Sequence, residues 1–186
     1  MSVQIARRRF TTDEYARMVQ ARILGEDERV ELLDGEVRAM SPIGSRHVAC
    51  VNRLNTILNL HVRGQAIISI QNPIRLSDYS EPEPDIAVLH ARNDYYDSAL
   101  PVPDDVLLIV EVADTSLEYD REEKLPYYAE ASIGEVWIVD LEHQTLERYM
   151  RPLNRRYAEA TIFRRGETFT AHILTPLSVA VNDILG

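Results

Sequence analysis

The chain reads as a mixed α/β domain in which one central sheet is flanked by helices, and three observations predict it. Two runs, 85–89 and 106–110, are dense in Val, Ile and Leu without polar alternation, as strands buried on both faces are. Segments with apolar residues at helical spacing alternate along the chain with strand-like runs, which is the pattern of a sheet covered by helices. Finally, 186 residues with 45% hydrophobic content suit one domain, residues 1–186, with a substantial core.

The elements follow in order. Thr11-Thr-Asp-Glu14 has capping-box spacing, and Tyr15, Met18, Val19 and Ile23 recur at helical intervals, so a first helix is expected from Thr12 to Leu24. Two alternating runs between Arg29 and Met40 flank Asp34-Gly35, a two-residue hairpin signal, before Ser41-Pro42 breaks the pattern. Val48, Val51, Leu54, Ile57, Leu58 and Val62 trace one face of a second helix from Ser45, with Gly64 placed to end it and His47 in its first turn.

Gln65 to Leu76 reads as a third strand interrupted at Asn72-Pro73. The acidic loop 77–84 then delivers Asp85 to a fourth strand, Asp85–Leu89, and a polar loop leads to a fifth, Asp105–Val112. A third helix, capped by Thr115 or Ser116, carries Asp120, Lys124 and Tyr128 on one face, and Pro126 within it requires a late start or a kink. Gly134 closes it ahead of a sixth strand, Glu135–Asp140. Residues 146–150, 157–163 and 169–174 form short antiparallel strands, ending in a C-terminal hairpin extension.

Composition narrows the function classes. No apolar segment approaches the roughly 18 residues of a membrane span, and the arginines of the first ten residues are not followed by a hydrophobic stretch, so a soluble, cytoplasmic protein is expected. A single cysteine, Cys50, excludes an internal disulfide and a cysteine-based zinc cage. The net charge of -10 argues against tight, metal-free binding of nucleic acid, although arginines cluster at 7–9, 155–156 and 164–165.

The chemistry gathers between Pro84 and Lys124. Glu111 ends the most apolar run of the chain and Asp85 begins its neighbour, and buried carboxylates shift their pKa, pair, or bind a cation. If the two strands are neighbours, these acids offer hard oxygen ligands suited to Mg2+, with Mn2+ as a substitute. Such an ion lowers the pKa of a bound water and neutralises charge on a phosphoryl oxygen. Lys124 would then orient the water, and Asp120, one turn earlier, would hold its ammonium. Taken singly, each residue has an ordinary reading: a turn for Pro84-Asp85, a structural ion pair for Glu111, a solvated helix pair for Lys124 and Asp120, packing or a cap for His47, and a core position for Tyr128.

The ordered series of segments resembles the Uma family of restriction endonucleases within the PD-(D/E)XK nuclease superfamily. It comprises the Glu31-Leu-Leu-Asp-Gly-Glu36 hairpin, Met40-Ser-Pro42, His47, Pro84-Asp85-Ile-Ala-Val, Leu108-Ile-Val-Glu111-Val, Asp120, Lys124, Tyr128 and Glu135-Val-Trp-Ile-Val-Asp140. The likeness spans about Tyr15 to Met150 and implies a restriction-endonuclease-like core with Asp85 and Glu111 as metal ligands and Lys124 as the catalytic lysine. In the superfamily pattern the lysine stands two residues after the acid, where this chain has Ala113, so Lys124 has to arrive from the following helix. A further N-terminal acid maps to Glu31 or Glu36, of which Glu36 is carried forward, with His47 in support.

The expectation is therefore a Mg2+-dependent DNA endonuclease that hydrolyses phosphodiester bonds. A homodimer would allow both strands to be cut. The rival expectations are a catalytically inactive restriction-like scaffold that binds DNA or a protein partner, and a hydrolase of another phosphoester such as RNA.

Overall fold

A computed structural model describes residues 7–25, 27–173 and 175–186. The N-terminal helix α1 (Thr12–Gln20) has the full capping box: Thr11 accepts from the Glu14 amide and Glu14 accepts from the Thr11 amide. It ends four residues before the expected Leu24, with Arg22 in the left-handed region at φ 56°. Val19 and Ile23 are exposed, so the apolar repeat that extended the sequence reading is not a core stripe. A hairpin of β1 (Val30–Leu33) and β2 (Glu36–Ala39) follows, turning through Asp34 and Gly35 at φ 52° and 78°, the left-handed pair that a two-residue turn demands.

The long helix α2 (Ser45–Val62) keeps its expected bounds and closes on Arg63 in the left-handed conformation, one residue before Gly64. Strand β3 (Ala66–Ile70) is shorter than the sequence suggested because Gln71, at φ 49°, ends it ahead of Pro73. With β4 (Ile86–His90), β5 (Val106–Ala113), β6 (Glu135–Asp140), β7 (Thr145–Leu153) and β8 (Arg156–Arg164) it builds a six-stranded mixed sheet in that order. Only β5 and β6 run parallel, and their crossover is the helical segment from Leu117 to Glu130. The strands expected near 146–150 and 157–163 thus extend the central sheet, and the C-terminal hairpin is β9 (Thr168–Ile173) with β10 (Thr175–Ala180).

The crossover is built in three pieces. A short turn α3 (Leu117–Tyr119) passes into a π-helical turn over Asp120–Lys124 and then into α4 (Leu125–Glu130). Pro126 explains the widening. It has no N–H to donate to the carbonyl of residue 122, and its ring would collide with that carbonyl in a regular helix. A turn closed from the Leu125 N–H to the Asp120 carbonyl, five residues back, avoids the collision.

The sheet is covered on both faces. On one, Val88, Val110, Val112, Trp137 and Val139 pack with α2 and with the terminal helix α5 (Val181–Leu185). On the other, Ala87, Leu89, Ile109 and Val136 pack with Tyr128 and Ile133. Side chains alternate across a strand, so Glu111 shares its face with Ile109 and looks toward the crossover helix.

Candidate active site

The antiparallel register of β4 and β5 pairs Ile86 with Val110, which sets Asp85 beside Glu111 at one end of the sheet. The Asp85 amide donates to Glu111 Oε2 at 3.3 Å, and the Val112 amide donates to Asp85 Oδ2 at 2.8 Å. Lys124 reaches the same point from the π turn, with Nζ 2.7 Å from Glu111 Oε1. The convergence that the sequence required of a lysine from the next helix therefore exists, in place of one at Ala113.

The hairpin contributes Glu31, not Glu36. Glu31 is 1% exposed, with Oε2 3.4 Å from Lys124 Nζ and Oε1 accepting from the Tyr119 hydroxyl at 2.8 Å. Glu36 lies on the same face, since Glu31 pairs with Arg38 and Leu33 with Glu36, but it sits next to the turn, where it is part-exposed and paired with Arg7 and Arg38. A signal for Glu31 was present in the chain. Val30-Glu31-Leu32-Leu33 places a lone acid in an apolar run, the feature that marked Glu111.

Asp120 is the second correction. It is buried and accepts from the Ser116 hydroxyl at 2.7 Å, whereas Lys124 is held by Glu31, Glu111 and the Glu83 carbonyl, the last at 3.3 Å. The Glu83 amide also donates to Glu31 Oε2 at 3.0 Å, so the acidic loop clamps both partners through its backbone. Tyr128, read from sequence as core, is buried but places its hydroxyl 2.5 Å from Glu111 Oε1.

His47 enters from the first turn of α2 with Nε2 2.9 Å from Asp85 Oδ1, while its buried Nδ1 has no partner. The carboxyl of Asp85 lies below its usual range. Burial works in the opposite direction, but the His47 contact, the Val112 amide and the charge of Lys124 outweigh it. Burial pushes Glu111 up to about 8 against the pull of Lys124, with Asp120 and Asp85 adding to the rise. Burial raises Asp120 as well. For Lys124 burial opposes the charged form, yet Glu111, Tyr128, Glu31 and Asp120 together hold its pKa well above the normal range.

These groups line a recess of about 240 Å³ whose rim includes Arg29, Met40, Ser41 and Pro42. The donor set suits a hard divalent cation in kind: it is made of carboxylate oxygens, and they outnumber the cations beside them. Among the described residues no three acids or histidines are preassembled around one point. Mg2+ does not need such a cage, since it binds through one or two carboxylates and keeps several waters.

Against known proteins, residues 12–182 match the Uma2 family, described as "Putative restriction endonuclease". The chain belongs to that family. A search of curated proteins finds no match. Among solved structures, the fold is similar to a crystal structure described as a putative nuclease belonging to DUF820 from Anabaena variabilis ATCC 29413. The TM-score is 0.72 at 16% identity, covering 95% of this chain and 97% of that one. At that identity the likeness speaks for the fold, and the Uma2 match carries the family.

Proposed function

We propose that this member of the Uma2 family is a metal-dependent endodeoxyribonuclease whose site is formed by Asp85, Glu111, Lys124 and Glu31, with His47 in support. One observation carries the reading: two acids from adjacent strand ends and a lysine from a separate element meet in a single recess, with Lys124 2.7 Å from Glu111. Solvated surface pairs contribute little to stability, and burying ions is costly. A cluster with Glu111 and Lys124 each about 3% exposed is therefore better explained by chemistry than by folding.

Asp85 and Glu111 would hold Mg2+ or Mn2+, which when bound supplies a water of lowered pKa and offsets charge on the phosphoryl oxygens. The remaining roles belong to the chain. His47 and the Val112 amide fix the orientation of Asp85. Tyr128 fixes Glu111, while Tyr119 and the Glu83 amide fix Glu31, so that both acids face Lys124. The ammonium of Lys124, kept charged by these acids and held among them, would offset through its charge the negative charge that accumulates on a phosphodiester in the recess. One such site cuts one strand, and a homodimer would supply the second.

The test is nicking of supercoiled plasmid with Mg2+ or Mn2+, beside single-stranded DNA and RNA. Asp85→Asn keeps the shape of the side chain and should reduce nicking at least 100-fold, the scale on which displaced reacting groups lose rate, with an unchanged circular dichroism spectrum. Undiminished nicking by that variant removes Asp85 from the site. Cleavage of RNA alone would move the substrate class to RNA, and cleavage of nothing with either metal would leave an inactive scaffold.

A further inference from the structure

The recess poses an electrostatic problem for any nucleic acid that enters it. Six carboxylate side chains line it, while the substrate carries a negative charge on every phosphate. Even a divalent cation between Asp85 and Glu111 leaves the rim in need of a group that attracts and orients the backbone. Lys124 is spent on Glu31 and Glu111, with 3% of its side chain exposed, and His47 is spent on Asp85. Arg29 differs from both in exposing 33% of its side chain.

The hairpin dictates where Arg29 lies. It stands two residues before Glu31, and residues i and i+2 of a strand share a face, so both side chains turn toward the recess. The Met40 amide closes the open end of the hairpin on the Arg29 carbonyl at 2.9 Å. The guanidinium donates to the Ser41 carbonyl at 3.1 Å and to Glu83 Oε1 at 3.3 Å, which uses two of its five N–H groups. It is thus propped at the mouth by its neighbours with donors to spare. A planar, permanently charged fork of this kind matches the paired oxygens of a phosphate better than a lysine does.

We infer that Arg29 is a substrate-binding residue that grips a backbone phosphate of the nucleic acid beside the bond to be cut. This rests on the nuclease reading, because it assigns a role within the same recess. Arg29 acts in binding and positioning, and the chemistry stays with the groups behind it.

The experiment measures anisotropy of a short fluorescein-labelled DNA duplex with Ca2+ at several salt concentrations, and plasmid nicking with Mg2+, for the wild type, Arg29→Gln and Arg29→Lys. Arg29→Gln should weaken binding roughly tenfold, as loss of a charged hydrogen-bonded pair does, and lower the slope of log Kd against log salt by about 0.9. KM for nicking should rise while kcat holds, and Arg29→Lys should recover the salt slope but only part of the affinity. A purely structural role would lower Tm without changing the slope. If wild type cuts plasmid and Arg29→Gln binds and cuts equally well, the inference is overturned and the nuclease reading stands. If wild type binds duplex but cuts nothing, and Arg29→Gln loses the binding, the nuclease reading fails and the phosphate contact is upheld. A wild type that binds no duplex overturns both.

Discussion

At the scale of single residues, position along a strand decides which acid takes part. Glu31 and Glu36 lie in the same hairpin with the same charge, yet one contacts Lys124 and the other meets arginines at the surface. The two should therefore separate cleanly in activity. Glu31→Gln keeps the length of the side chain but removes the charge facing Lys124, and a supporting contact of this kind is worth roughly 10–100-fold. Glu36→Gln should leave nicking within about twofold, since exposed ion pairs contribute little. Equal losses in the two variants would show that the hairpin acts only through folding. Glu111 and Asp85 illustrate the other control at this scale: neighbours in space, they are displaced in opposite directions because one is dominated by burial and the other by the contacts of His47 and Val112.

At the scale of elements, the π turn Asp120–Lys124 is the device that aims the lysine. Such turns occur frequently at functional sites, and here the cause is visible in the sequence as Pro126. Arg121, from the same turn, pairs with buried Glu147 on β7, whose Oε2 also accepts from the Tyr149 hydroxyl, and this ties the turn to the sheet. Pro126→Ala restores the missing donor and permits a regular helix, which would shift Lys124 with respect to Glu111. Displacements of about 1 Å cost on the order of 100-fold in rate, so activity should fall at least tenfold while Tm is kept or raised. Unchanged activity would mean that the ties to Glu147 hold the turn without the proline.

At the scale of the whole molecule, the site stores electrostatic cost that the rest of the fold offsets. The sign follows from Glu111. Its folded pKa, about 8, lies above the unfolded value near 4.5. The folded form keeps a proton that the unfolded chain releases, so stability present at low pH is lost as pH rises through roughly 5 to 8. Mg2+ held by Asp85 and Glu111 would favour the deprotonated carboxylate, so the Tm gained on adding Mg2+ should grow over that same range. Thermal melts across pH with and without Mg2+ check both statements, and a Mg2+ response that persists in Asp85→Asn would place the ion elsewhere. The net charge of -10 sets a second molecular constraint: the proposed nucleic-acid substrate would have to be met at local cations such as Arg29, since the molecule as a whole repels it.

The sequence by itself determined the order of the elements as far as β9, though not β10 or the terminal helix α5, and the three groups Asp85, Glu111 and Lys124 that meet in the recess. Strand burial and helix caps are written in short stretches: two unbroken apolar runs ending or beginning in an acid, a capping box at Thr11, and a hairpin turn at Asp34-Gly35. It overextended α1, because the apolar spacing of Val19 and Ile23 is the same whether a face is covered or bare. Only the tertiary structure decided that Glu31 and not Glu36 reaches Lys124, that Asp120 bonds Ser116 rather than Lys124, and that β7 and β8 join the central sheet. The same holds for the hydroxyls of Tyr119 and Tyr128 and the backbone of Glu83, which fix the cluster from positions far apart in the chain. The physical reason is one of range. Periodicity and capping act between residues a few positions apart, whereas the face a hairpin buries and the partner a buried charge finds depend on what packs against it.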